Sequence, residues 1–250
     1  MRVLAVFLFT VATMPAVAQV AVPMPRERPA QIGSEPSDSL AVPVPRRPPE
    51  ALSEDRVVPE VPRPRIYRSA CPAVLMGLVG AQVLDPIAER ACHVRSPLAV
   101  TAVLVNGRMV PLSSEAILEC GMATALPMWL AALDGYLAAR EDTRLATVLV
   151  GTSYACRPRN NAAGSDVSEH GFANALDVIG FELADGRTVS LPAGWTDPLS
   201  PEGRFLRYAH GAACASFTTT LGPEANALHA DHIHVDLGCH GQRCVARLCE

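Results

Sequence analysis

The eight cysteines constrain this chain most. They stand at Cys71, Cys92, Cys120, Cys156, Cys214, Cys239, Cys244 and Cys249, all beyond Ala70 in a chain of 250 residues. An even set in an exported chain points to disulfides. The spacing does not choose among the roughly one hundred possible pairings. Cys239, Cys244 and Cys249 also permit a reading as a metal cluster, but an oxidising compartment favours disulfides.

The compartment is read from the other end. Met1-Arg2 supplies a positive start, Val3 to Val11 is apolar except for Thr10, and Ala16-Val17-Ala18 offers the small residues of a cleavage site. Residues 1–18 read as a signal peptide cut after Ala18. The run is too short to span a bilayer comfortably, and no cysteine near the cut supports a lipid anchor. The expected location is periplasmic or secreted, with no stable membrane span after cleavage. A net charge of −4, with all 21 cationic side chains arginine, gives no footprint for nucleic acid.

Residues 19–65 read as a proline-rich disordered tether, since Val20 to Arg65 holds eleven of the 22 prolines and no apolar period. The folded domain is expected over 66–250. In it, Ala99 to Val105 reads as a strand turning at Asn106-Gly107 into Met109–Leu112. Ser113 and Ser114 offer an N-cap for helical spacing from Glu115 to Ala139, with Pro127 dividing or kinking the helix. Leu145–Val150, Ala173–Phe181, Thr188–Leu191 and Ile233–Leu237 read as further strands, with a turn at Asp185-Gly186, and Glu202–Phe217 as a second long helix. The expected class is α+β.

Two segments concentrate polar chemistry: Ser168 to Asp177, and His229 to Asp236. Asp177 lies in the apolar run Ala175-Leu176-Asp177-Val178-Ile179. A carboxylate buried there must meet an arginine or bind a cation. On a strand, Ile233, Val235 and Leu237 share one face, and His232, His234 and Asp236 share the other. Two histidines spaced i, i+2 can therefore point into one site. Neutral imidazole and carboxylate are ordinary zinc ligands, and a catalytic zinc keeps three protein ligands with one open position. His170, Asp177 and His234 make such a set, although spacing alone leaves His229, His232 and Asp236 as candidates. Trp129 and Trp195 read as core, His93 and His210 as ordinary surface or helix residues, and His240 as able to line the rim of the site but carrying little weight.

The patterns SxHxxxxAxD and HxDHxH resemble a zinc metallopeptidase group that includes murein endopeptidases and D-alanyl-D-alanine carboxypeptidases, with hedgehog domains as relatives. The stretch from Ile66 to Glu250 more closely resembles the bacterial extensin-like C-terminal domain family, through Tyr154-Ala155-Cys156-Arg157, Ser168 to Asp177, Thr220-Leu221-Gly222-Pro223, His229 to Asp236, and the outlying Cys71 and Cys249. The resemblance implies a small antiparallel sheet with flanking helices, of hedgehog/DD-peptidase type and stapled by disulfides. It implies one Zn2+ held by His170, Asp177 and His234, a zinc-bound water as nucleophile, and a peptidoglycan peptide as substrate. Several relatives place a Glu base upstream of the last ligand, and this chain has none close to His232. The murein endopeptidase branch has histidines there, which makes His232 the expected base with His229 assisting. Asp231 is the other candidate, pointed by strand parity toward the core if the pairing extends that far. Arg157 is expected to contact substrate or a developing oxyanion, or to make a structural salt bridge. Ser168 is expected to bond substrate or cap the turn before His170, and Gly171 to serve a backbone need. Two other readings compete: a non-catalytic zinc module that binds cell wall or a partner, and a disulfide-stapled domain without metal.

Overall fold

A computed structural model describes residues 70–250; the expected signal peptide, the tether and the expected domain start at Ile66 lie outside the described residues. The chain order is α1 (Pro72–Leu75), β1 (Val79–Val83), β2 (Ile87–Glu89), β3 (Cys92–Val94), β4 (Leu98–Val105), β5 (Arg108–Leu118), α2 (Cys120–Arg140), β6 (Leu145–Val150), β7 (Ala175–Leu183), β8 (Thr188–Ser190), α3 (Leu191–Gly194), α4 (Pro201–Ser216), β9 (Thr219–Leu221), β10 (Ile233–Asp236) and β11 (Leu248–Cys249).

The domain is α+β. Its sheet is larger than expected: nine strands in the order β1-β4-β5-β6-β7-β10-β9-β11, with β8 added on β7. Most pairs are antiparallel, but β5–β6 and β9–β11 are parallel. The β4–β5 hairpin turns where the sequence places it. Asn106 and Gly107 both have positive φ (46° and 82°), as a two-residue hairpin turn requires.

The largest difference from expectation lies at Ser113–Leu118. This segment continues β5, and α2 starts five residues later than the helical spacing at Glu115 suggests. Ser113 caps no helix; its Oγ accepts the Val150 N–H at 3.0 Å. Ser153 Oγ in turn accepts the Ile117 N–H at 2.9 Å. Two hydroxyls thus take ladder hydrogens where β5 and β6 share one register pair, Leu112 with Val148. The helix cap is Glu119, which accepts from the Gly121 N–H at 2.8 Å. Pro127 does not divide α2, which runs 21 residues through it; the proline removes one backbone bond from a helix held by packing.

Helix α4 follows the sequence closely. Ser200 caps it by accepting from Gly203 N–H at 3.0 Å, and Pro201 takes the first turn, where its missing N–H costs nothing. The core lies between α2, α4 and one face of the sheet. Trp129, Leu130, Leu133, Phe205 and Leu206 meet Phe181, Val178 and Val235 there, all essentially without exposure. Trp129 packs edge-on against Phe181 and Phe217, and its indole N–H bonds the Ala209 carbonyl at 2.9 Å. Its expected place in the core is where it sits. Trp195 lies at the margin, with Arg207 4.5 Å over its ring.

All eight cysteines pair: Cys71–Cys120, Cys92–Cys156, Cys214–Cys249 and Cys239–Cys244. The metal-cluster reading of the last three cysteines therefore falls. His210 stands near Cys214 and Cys249, but those two sulfurs are bonded to each other and offer no thiolate. Among the described residues no helix is long and apolar enough to cross a membrane.

Candidate metal centre

Strands β7 and β10 run antiparallel, with His234 registered opposite Asp177. Alternation sends Leu176, Val178, Ile233 and Val235 into the core. Asp177, His234 and Asp236 therefore share the opposite face, where they are still under 9% exposed. His170 arrives from outside the sheet, on a 3-10 turn at Glu169–Phe172. That turn ends in a left-handed Ala173 (φ 53°), whose N–H bonds back to the His170 carbonyl at 3.1 Å. Gly171 has a steric reason: a Cβ there would lie 2.7 Å from Val167 and 2.8 Å from the Cys92 sulfur. The His170 turn thus lies flush on the Cys92–Cys156 disulfide.

Three ligand atoms converge. His170 Nε2 is 3.2 Å from His234 Nδ1 and 3.3 Å from Asp177 Oδ1, and His234 Nδ1 is 2.9 Å from Asp177 Oδ1. A tetrahedral ion with bonds of about 2.0–2.2 Å needs its ligands roughly 3.4 Å apart. The triangle has nearly that size.

The outer nitrogens fix the inner ones. His170 Nδ1 donates to the Ser153 carbonyl at 2.8 Å, and His234 Nε2 donates to Asp236 Oδ2 at 3.1 Å. When neutral, the two rings point His170 Nε2 and His234 Nδ1 inward as lone pairs, beside the Asp177 carboxylate. Three acceptors facing one another repel unless a proton or a cation sits among them. This is the arrangement by which proteins orient metal-binding imidazoles. Among the described residues the ion-pair partners of Asp177 are His170, His232 and His234. The arginine that would make Asp177 an ordinary buried salt bridge does not reach it.

The electrostatics follow. Burial alone would raise the pKa of Asp177, but bonds and charge from His170 and His234 outweigh it and hold the carboxyl well below its usual range. Burial opposes charge on His234, and the carboxylates Asp177 and Asp236 together overcome it, raising its pKa to about 9. In a metal-free protein the proton is the substitute cation.

Two more imidazoles complete the cluster. His232 donates from Nδ1 to Asp231 Oδ1 at 2.8 Å, which leaves Nε2 free, 3.5 Å from Asp177 Oδ1. His229 donates from Nδ1 to Asn226 Oδ1 at 2.9 Å. Burial first, then the charges of His232 and His234, lower its pKa to about 4, so it stays neutral at pH 7. The strand pairing does not extend to Asp231. Strand β10 begins only at Ile233, so parity does not reach Asp231, and its carboxylate is exposed and orients His232.

Ser168, Arg157, His170, Asp177, His229, His232 and His234 all line one cleft of about 370 Å³. The guanidinium of Arg157 makes no ion pair with any described residue and reaches only the Pro158 carbonyl among them, at 3.5 Å. Ser168 precedes the turn, but its side chain makes no cap bond, so the capping alternative is not realised. A larger hollow of about 610 Å³ beside it shares Glu169 but holds none of the three ligands. Sequence reasoning missed Asn226, Thr219 and the Ser153 carbonyl as supports, and set His240 aside although it lines the cleft. Only Asp236 had a signal, its place two residues beyond His234.

Comparison with curated proteins and with solved structures found no match. A family model described as "Extensin-like protein C-terminus" matches residues 69–250, close to the stretch in which the motifs fall. That match covers every described disulfide and the whole histidine cluster, and the chain belongs to the family of extensin-like protein C-termini.

Proposed function

We propose that this protein is an exported zinc-dependent peptidase that cleaves peptide bonds of peptidoglycan, in stem peptides or in cross-links. The observation that carries the reading is the meeting of three inward acceptors, His170 Nε2, Asp177 Oδ1 and His234 Nδ1, at separations of 2.9 to 3.3 Å. The donor set of two imidazoles and a carboxylate suits zinc and leaves room for a fourth partner. When bound, zinc supplies Lewis acidity, lowering the pKa of a coordinated water toward about 7 and polarising a carbonyl.

The remaining steps fall to this chain's own groups. His232 Nε2 accepts the proton of the attacking water, because its Nδ1–H is committed to Asp231 and its free nitrogen faces Asp177. His229, neutral at pH 7 and oriented by Asn226, assists as a second proton carrier. Arg157, whose guanidinium makes no ion pair among the described residues, offers it to a substrate carboxylate or to the developing oxyanion. Ser168 lines the same cleft and bonds the substrate backbone. The four disulfides support an oxidising location, periplasmic or secreted.

The test is incubation of zinc-loaded protein with purified sacculi, followed by mass spectrometry of the released muropeptides. New fragments that vanish with chelator are the expected result. No fragment at any pH near neutral sinks the peptidase reading. One observation favours a non-catalytic zinc module that binds cell wall: the carboxylates Asp236 and Glu169 in the cleft are both engaged, by His234 and by Asn174, so among the described residues no carboxylate of the cleft stands free as a base. Wall binding with stoichiometric zinc and no turnover would establish that reading instead. Elemental analysis showing no metal in protein purified without added zinc would leave a purely structural domain.

A further inference from the structure

Support for His234 continues past Asp236. Asp236 Oδ2 takes the His234 Nε2–H at 3.1 Å, and Oδ1 takes the Gly238 N–H at 2.7 Å. Thr219 stands directly opposite Asp236 in the β9–β10 pairing, so the two side chains share one face of the sheet beside His234. Thr219 Oγ1 lies 2.6 Å from His240 Nε2, a hydrogen bond between the two side chains. Thr219 is 3% exposed, while His240 is half-buried.

His240 opens a short loop closed by the Cys239–Cys244 disulfide, and its carbonyl accepts the Ala246 N–H at 3.3 Å. The far end of the loop is tied down as well. Arg247 bonds the carbonyls of Cys214 and Ala215, and Cys249 is joined to Cys214. His234, Asp236, Thr219 and His240 all line the same cleft.

We propose that the Cys239–Cys244 loop is the outer support of the metal centre: the disulfide holds His240, His240 positions Thr219, Thr219 positions Asp236, and Asp236 fixes the ring of His234. The inference rests on reading His170, Asp177 and His234 as a metal site. It makes Thr219 and His240 positioning residues, which touch neither metal nor substrate. It also makes metal affinity depend on a disulfide whose sulfurs lie outside the ligand set.

The experiment measures zinc affinity of the full chain by competition with a chromophoric chelator at neutral pH, together with the visible spectrum of the cobalt-substituted protein. The variants are Thr219→Val, Thr219→Ser, His240→Gln and the pair Cys239→Ser/Cys244→Ser. Removing an outer partner of a metal ligand weakens affinity by roughly 10- to 100-fold. Thr219→Val should therefore lose about 10-fold and shift the cobalt bands, while Thr219→Ser, which keeps the hydroxyl, should stay within about two-fold of the parent. His240→Gln and the double serine variant should weaken binding several-fold, and neither should add fully to Thr219→Val. Parent-like affinity and spectra in both Thr219→Val and His240→Gln would overturn the inference while leaving the metal site standing. A parent protein that binds no zinc would overturn the metal reading itself, and this inference with it. If the double serine variant fails to fold, the Thr219 and His240 variants decide the matter, since they leave every disulfide intact.

Discussion

Two buried aspartates divide the molecule. Asp134, on α2, has no exposure and is surrounded by cations and donors: Arg108 and Arg144 each at 2.9 Å, Asn106 Nδ2 at 2.9 Å, and the Leu145 N–H at 3.0 Å. Asp177, on β7, is nearly as buried, but among the described residues its carboxylate meets only imidazoles, at 2.9, 3.3 and 3.5 Å. Arginine is always charged, so Asp134 is satisfied under all ordinary conditions and acts as a clamp joining α2 to β5 and β6. Imidazole is charged only when protonated, so Asp177 is satisfied only when a proton or a cation is supplied. In the first place the chain solves its own electrostatics; in the second it leaves room for a guest.

The comparison breaks first if the metal does not need Asp177. Asp177→Asn should lower zinc affinity by at least about 10³-fold, on the order of 4 kcal/mol, as one of three ligands is lost. Asp134→Ala should leave it unchanged; chelator competition reads both. Next in size is the division of labour among the imidazoles around Asp177. His232→Ala should keep stoichiometric zinc and lower muropeptide release by roughly 10²–10⁴-fold, the usual share of a general base. Loss of zinc in this variant would instead move His232 into the ligand set.

Smaller effects sharpen the clamp. Asp134→Ala should cost about 2 kcal/mol in urea unfolding with disulfides intact. The value sits low because Arg108 and Arg144 are 46% and 50% exposed and return to water when released. The two regions should also carry opposite pH signatures. Burial would raise the pKa of Asp134, but Asn106, the Leu145 N–H and the arginines hold it below its ordinary value. Its contribution is present above the unfolded value near 4 and is lost as pH falls through the lower folded value. His234 in the metal-free protein is raised to about 9, so its contribution is full below roughly 6.5 and lost as pH rises through 9. Under the proposed zinc reading, binding at His234 would displace that proton. Its affinity should climb about ten-fold per pH unit from 7 toward 9 and then level, with close to one proton released at pH 7 in calorimetry across buffers.

The parts of the fold legible in the sequence were those set by local pattern. Asn106-Gly107 announces its hairpin, and the helical stretch expected at Glu202–Phe217 lies within one residue of α4 at each end. Ser113 and Ser114 misled because serine serves equally as a helix cap and as a strand hydroxyl; contact with β6 decided the matter. Strands β2, β3, β9 and β11 have two or three residues each, too few to show alternation. The disulfide pairing depends on which loops come together, and spacing does not encode that. The site divided in the same way. Asp177 was legible as a charge in an apolar strand, and His234 by its parity with Asp236. The Ser153 carbonyl, Asn226 and the Thr219–His240 pair were not, because backbone acceptors and loop side chains have no periodicity to betray them.

The pairing of His234 with Asp177 across β7 and β10 also bears on how the sheet assembles. A strand of four residues has little apolar pattern with which to recognise its partner. If β10 slipped by a single residue, His234 and Asp236 would turn inward among Trp129, Phe181 and Val178, at a cost of several kcal/mol for each stranded charge. Ile233 and Val235 would turn outward at the same moment. The polar side of this strand therefore acts as a proofreader of alignment, rejecting wrong pairings before any ion arrives.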